Sequence, residues 1–145
     1  MKSITVMIQK EVAERMQAGP GGKEYGALSL AVQYYCSTEI VANVPPNCFI
    51  PRPNVGSCVI RLNRYAEPPV RVRDPEKMFR IIRAAFNQRR KTLANAVSHG
   101  GINCCDGAPA GRERVTEVLR EMGLSETIRG EAMTLPQFAE FSDRL

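Results

Sequence analysis

Four prolines within nine residues limit what the middle of this chain can become. They lie in Val44-Pro45-Pro46-Asn47-Cys48-Phe49-Ile50-Pro51-Arg52-Pro53-Asn54-Val55-Gly56-Ser57, between two apolar runs. Proline fixes φ and has no N–H to donate, so the stretch belongs inside neither a helix nor a sheet. It reads as a stiff, extended loop joining two strands. Stiffness holds Phe49, its one aromatic, in a single place. A rigidly held ring offers a flat stacking surface to a nucleobase. The plainer reading is a ring that plugs the core beneath the loop, as most aromatics are buried.

The flanking sequence reads as alternating strands and helices. Ser3 to Ile8 is β-branched and apolar on both faces, the pattern of an interior strand of an α/β sheet. Lys10 to Met16 follows as a short helix with Val12 and Met16 on one face, and Ala18 to Gly22 breaks it as a flexible loop. Tyr25 to Cys36 reads as a second helix with Leu28, Ala31, Val32 and Tyr35 forming its inward stripe. Thr38 to Val44 and Ser57 to Leu62 are strands on either side of the proline loop. This order reads as the closing third of a parallel sheet that ends in an antiparallel hairpin.

The proline-bearing link Tyr65 to Val70 marks a domain boundary near residue 70, giving domains 1–66 and 70–145. Everything beyond it reads helical. Asp74 and Pro75 start one helix as N-cap and first residue, with Met78, Ile82, Ala85 and Phe86 as its apolar stripe. Asn87 to Lys91 is a polar break, and helix resumes over Thr92 to Val97. Gly100 to Gly111 reads as a loop with no further signal. Arg112 to Met122 is a helix buried along Val115, Val118, Leu119 and Met122, with Gly123 as its cap. The last helix opens on a capping box, Thr134 with Gln137, and buries Phe138, Phe141 and Leu145.

Charge is spread unevenly. Arg61 to Lys91 holds ten basic residues against Glu67, Asp74 and Glu76, so 10 − 3 = +7 exceeds the +5 of all 145 residues. Such an excess favours a polyanionic partner, most simply nucleic acid; a solvated surface helix is the plainer alternative. No stretch approaches the roughly 20 apolar residues of a membrane span, and the first residues do not read as a secretory signal. The five cysteines follow no metal-ligand spacing and there is one histidine, His99. No metal site is expected, and the thiols read as reduced, in a cytoplasmic protein.

Five pieces in order carry a resemblance. They are Gln9-Lys10-Glu11-Val12-Ala13-Glu14-Arg15, Tyr25-Gly26-Ala27-Leu28-Ser29, Gln33-Tyr34-Tyr35-Cys36, the proline stretch itself, and Ala85-Phe86-Asn87-Gln88-Arg89-Arg90-Lys91-Thr92-Leu93. Together they resemble the small-subunit ribosomal RNA adenine dimethyltransferases, the kasugamycin-sensitivity enzymes, whose relatives include Erm methyltransferases and mitochondrial transcription factor B. The resemblance implies an α/β plus all-α chain: the last three strands of a Rossmann-like methyltransferase sheet, then a small helical domain. It implies a whole protein that dimethylates two adjacent adenines of 16S rRNA in the small ribosomal subunit, using S-adenosylmethionine.

The family's glycine-rich cofactor loop and its Asn-(Leu/Ile)-Pro-Tyr motif do not occur in these residues. The resemblance therefore implies a C-terminal half that by itself binds no cofactor, holds no complete catalytic set and is inactive. It implies that Phe49 stacks on the flipped adenine. Asn87, Gln88, Arg89, Arg90 and Lys91 are candidate RNA contacts, with Arg52 beside them. A helix end steadied by basic residues against its dipole is the alternative for that run. Gln9, Lys10 and Glu11 stand equally for the floor of the site and for a structural role. A basic helical RNA-binding module without catalysis is the other functional reading. A further expectation is self-association through the strand at residues 3–8, whose outer edge lacks a neighbour.

Overall fold

The computed structural model describes residues 2–145, which form two compact units. One runs from the start of the described chain to Gly19 and from Glu24 to Pro69; the other comprises Pro20–Lys23 and Val70–Leu145.

The first unit is a mixed α/β arrangement around a three-stranded sheet. Its strands are β1 (Ser3–Gln9), β2 (Cys36–Val44) and β3 (Ser57–Arg64), in the order β1-β3-β2. Both outer strands pair antiparallel with β3, through Val6↔Ile60 on one side and Ile40↔Ile60 on the other. β1 and β2 therefore run in the same direction, and their carboxyl ends share one edge of the sheet. Pairing with β3 puts Val6 and Ile8 on the same face as Cys58, Ile60, Leu62 and Ile40. Ala13 and Met16 of α1 (Lys10–Gln17) pack on that face. Alternation then turns Met7 to the opposite face, where it is 53% exposed. Among the described residues β1 is thus an edge strand, paired on the β3 side.

α2 (Ala27–Tyr35) is shorter than expected and faces the other way. Its buried residues are Ser29, Leu30 and Tyr34, whereas Leu28 and Tyr35 are exposed. The reason lies in two polar side chains. Ser29 Oγ accepts from the Gly26 N–H at 3.1 Å and donates to the Arg15 carbonyl. Gln33 Nε2 donates to the carbonyls of Met16 (3.2 Å) and Ala18 (2.9 Å). Carbonyls at a helix end need such partners, so the carboxyl end of α1 fixes which side of α2 turns inward.

The second unit is helical: α3 (Pro75–Asn87), α4 (Leu93–Ser98), α5 (Arg112–Glu121) and α6 (Leu135–Arg144). Its starts follow the local chemistry. Asp74 accepts from the Lys77 N–H at 3.2 Å, Thr92 from Asn95 at 3.3 Å, and Thr134 with Gln137 closes a reciprocal capping box. Gly123 ends α5 at φ +73°, a conformation with little penalty for glycine alone. Met78, Ile81 and Ile82 of α3 are fully buried, as are Val97, Val118, Leu119, Phe138 and Phe141. Met122 is only half-buried. Gly130, in a 3-10 turn over Gly130–Ala132, lets the chain pass so close to α3 that an added Cβ would lie 2.7 Å from the Cβ of Ala85.

Residues 100–111 are more ordered than their composition suggested. Cys104 N–H donates to Ala108 O at 2.7 Å and Ala110 N–H to Ile102 O at 2.8 Å, closing a small hairpin whose bases Ile102 and Ala110 are buried. No helix in the described residues is long and apolar enough to cross a membrane.

Candidate functional site

The proline stretch leaves the sheet at the shared carboxyl edge of β1 and β2. Its two arms are closed at the base by the Val44↔Ser57 pair. The first N–H of α1, on Lys10, donates to the Gly56 carbonyl at 3.0 Å. Cys58 Sγ donates to Asn43 Oδ1 at 3.3 Å. A Cβ on Gly56 would stand 3.6 Å from the Val44 carbonyl oxygen, so the arms touch. The rest of the loop is held by short-range geometry. Pro46–Cys48 form one 3-10 turn, with Cys48 N–H donating to Pro45 O and Phe49 N–H to Pro46 O, at 3.1 and 3.3 Å. Helical geometry was not expected here. A proline at the first position of a turn loses no bond, because that N–H has no partner in any case.

Phe49 follows this turn in extended geometry (φ −117°, ψ 150°) and is half-buried. It is not among the fully buried core residues. The next residue, Ile50, is fully exposed, and Arg52 is exposed as well. Beside the loop base lies a cleft of about 300 Å³ lined by Gln9, Lys10, Glu11, Glu14, Val55 and Gly56. The β1–α1 turn thus meets the carboxyl arm of the loop.

S-adenosylmethionine, the cofactor the resemblance implies, does not fit what is present at this edge. The strand-to-helix turn at Gln9–Lys10 has no glycine to let a ligand approach the backbone. The cleft offers Lys10, Glu11 and Glu14. Among the described residues of this unit, no buried side-chain nitrogen or oxygen lacks a partner that such a ligand would supply. No group of three or more His, Cys, Asp or Glu among the described residues is arranged to hold a metal.

The basic run lies in the helical unit, where its members separate. Asn87 ends α3, and a turn closed by Lys91 N–H donating to Gln88 O at 2.9 Å follows. Asn87, Gln88, Arg90 and Lys91 are exposed. Arg89 is drawn inward: its Nε pairs with Glu131 Oε2 at 3.2 Å and its Nη2 donates to the Gly22 carbonyl at 2.9 Å. Its guanidinium also stands 5.9 Å from the centre of the Phe86 ring. Arg89 is therefore a clamp within its own unit, which the run of like residues did not reveal. The last turn of α3 carries no basic residue.

The other singled-out residues have structural partners. His99 Nδ1 lies 2.8 Å from the Asn95 carbonyl at the end of α4. Glu11 pairs with Arg15 at 2.9 Å on the exposed side of α1. Ser29 and Gln33, passed over in the sequence as chemistry, hold α1 to α2. Their spacing of four residues puts them on one helix face; what that face meets is a tertiary fact.

Comparison with known proteins bears on these features. Residues 1–117 match the family model described as "Ribosomal RNA adenine dimethylase". The chain is 59% identical over 141 residues to the Ribosomal RNA small subunit methyltransferase A of Lachnoclostridium phytofermentans, covering 97% of this chain and 47% of that protein. It is 50% identical over 144 residues to the protein of the same name from Clostridium perfringens, covering 99% and 48% respectively. The chain thus spans about half the length of the curated relatives it matches. Its fold is similar to that of a dimethyladenosine transferase from Plasmodium falciparum, with a TM-score of 0.70 at 22% identity, over 97% of this chain and 56% of that one. It is also similar to the 23S rRNA methyltransferase ErmE, at 0.63 and 21%, over 99% and 55%.

Proposed function

The chain belongs to the ribosomal RNA adenine dimethylase family, and from that premise we propose that it serves the N6,N6-dimethylation of two adjacent adenines of 16S rRNA, in the cytoplasm. Its sheet corresponds to the last three strands of a Rossmann-like catalytic domain, and its helices to the domain that follows. The methyl donor is S-adenosylmethionine. Its site belongs to the part of the relatives' length that this chain does not span, and the chain by itself neither binds the donor nor transfers a methyl group.

What these residues contribute is a hold on the RNA. An adenine in a helix must leave the stack before its amine can react, at a cost of a few kcal/mol. Phe49 stacks on the extruded base and returns roughly 1–3 kcal/mol. The observation that carries this reading is the position of Phe49. It sits on a loop pinned at both arms, at the edge where β1 and β2 end, and ligands of open α/β sheets lie beyond the carboxyl ends of parallel strands. Asn87, Gln88, Arg90 and Lys91 meet ribose, base edges and phosphates, and Arg52 adds a phosphate contact near the base. Arg89 holds the turn that presents them.

The test exchanges this chain for the matching segment of the Lachnoclostridium phytofermentans relative. Tritiated methyl incorporation into small-subunit particles is measured beside particle binding. Phe49→Ala is expected to lower methylation at least tenfold, the loss that about 1.4 kcal/mol brings, with binding nearly unchanged. Equal losses in both would assign Phe49 to packing. An exchanged protein that binds particles and never methylates them would favour a non-catalytic RNA-binding module.

A further inference from the structure

A second concave feature, in the helical unit, takes no part in the reading above. It is a cavity of about 350 Å³ between the residues leading into α3, the first two turns of α3, the 102–105 hairpin arm and the last turn of α6. Arg73, Lys77 and Arg80 line it, and none of the three makes an ion pair among the described residues. Lys77 Nζ reaches the Cys105 sulfur at 3.6 Å. Ser142 also lines the cavity. It is 2% exposed, and its Oγ has no hydrogen-bond partner among the described residues. A buried hydroxyl without a partner is uncommon and calls for one.

We propose that this cavity binds a phosphate-type oxyanion, with Arg73, Lys77 and Arg80 supplying charge and Ser142 Oγ donating to an anion oxygen. The two carboxylates in the wall do not close it to anions. Asp143 Oδ1 accepts from the Arg73 N–H at 2.9 Å, and Asp74 Oδ1 caps α3 through the Lys77 N–H at 3.2 Å. Each carboxylate thus has an oxygen turned to backbone. Three cations against two carboxylates leave 3 − 2 = +1 at the cavity. The Asn103 amide adds a neutral donor to the lining. The walls are tied before any ligand arrives, since Cys105 N–H donates to the Leu145 carbonyl at 3.2 Å. Hydrogen bonds between ionised groups are the strong ones. The proposal does not depend on Phe49 or on the 87–91 turn.

The experiment titrates inorganic phosphate into the purified chain in a chloride buffer, followed by backbone amide NMR. Saturable shifts are expected at Lys77, Cys105 and Ser142, with a dissociation constant of about 1 mM or tighter. Lys77→Ala and Ser142→Ala are each expected to weaken binding about tenfold. Ser142→Ala carries its own control. Without phosphate its unfolding midpoint stays at or above the parent's, since the change removes a hydroxyl with no partner. Shifts spread over all basic residues without saturation would overturn the proposal. So would magnesium binding at Asp74 and Asp143 with no response to phosphate. A short RNA duplex added next identifies the source. Phosphate displaced from these amides points to a backbone phosphate of RNA; RNA shifts confined to residues 87–91 point to a free phosphate compound. Both results uphold the oxyanion site.

Discussion

Arg89→Ala distinguishes a clamp from an RNA contact at one position. Three interactions are lost. The ion pair to Glu131 joins side chains 35% and 27% exposed, so solvent screens it and it is worth about 0.5–1 kcal/mol. The bond to the Gly22 carbonyl at 2.9 Å comes from a charged donor and contributes about 1 kcal/mol after the same discount. The guanidinium over Phe86 at 5.9 Å adds about 0.5 kcal/mol. These terms overlap, so the expected loss is about 2 kcal/mol. In a unit of this size that lowers the melting temperature by roughly 8–15 °C. Arg90→Ala, on an exposed side chain, should move it by no more than about 0.5 kcal/mol. Arg89→Lys keeps the charge without the planar fork and should recover less than half of the loss. Circular dichroism melts, with amide exchange at Ile81 and Ile82 to report on this unit alone, measure the effect. An Arg89→Ala protein that melts like the parent, yet loses as much RNA affinity as Arg90→Ala, would refute the reasoning.

RNA binding should weaken with salt, and Arg90→Ala and Lys91→Ala should each flatten the log–log slope by about 0.7–0.9; an unchanged slope would move the RNA surface elsewhere. We propose that the chain self-associates through β1, whose outer edge has no strand beside it among the described residues. Met7→Lys, on the exposed face, should then shift sedimentation towards monomer, whereas a parent that is monomeric at all concentrations with β1 amides protected rules this out. Burial pushes the Tyr25 phenol well above its ordinary value of 10.0. A raised value in the fold means a contribution fully present below about pH 10 and lost as pH rises further. Alkaline unfolding of the sheet unit should become shallower in Tyr25→Phe, and an identical alkaline profile would contradict this.

Local rules made much of the helical unit legible. Asp74 with Pro75, Thr134 with Gln137, and Gly123 each act within one turn of chain, so the sequence contains both partners. The strands around the proline loop were legible for a similar reason: proline and glycine interrupt two β-branched runs. α2 was not legible in its facing. Ala27 to Tyr35 is apolar nearly all round, so periodicity offers more than one stripe, and the choice was made by Ser29 and Gln33 reaching the end of α1. Arg89 looked like its neighbours because its partners, Gly22 and Glu131, lie 67 and 42 residues away. The cavity at Ser142 was hidden likewise, since its lining is drawn from three separated segments. In the candidate site, the sequence showed the stiffness around Phe49, while the half-buried setting of its ring required the fold.

The short loop Pro20–Lys23 has a consequence for how such a chain can be divided. It belongs to the helical unit, where Gly21 N–H donates to the Glu131 carbonyl at 2.8 Å and Gly22 O receives Arg89. The helical unit is therefore built from two separated stretches of sequence, and no single cut frees it whole. A product starting at residue 70 would contain every helix of the unit and still lack the Gly22 carbonyl that receives Arg89. Truncating this chain at the proline link would then weaken the very turn that carries Arg90 and Lys91. Four residues between two helices of the other unit are, in effect, an inheritance the helical unit cannot leave behind.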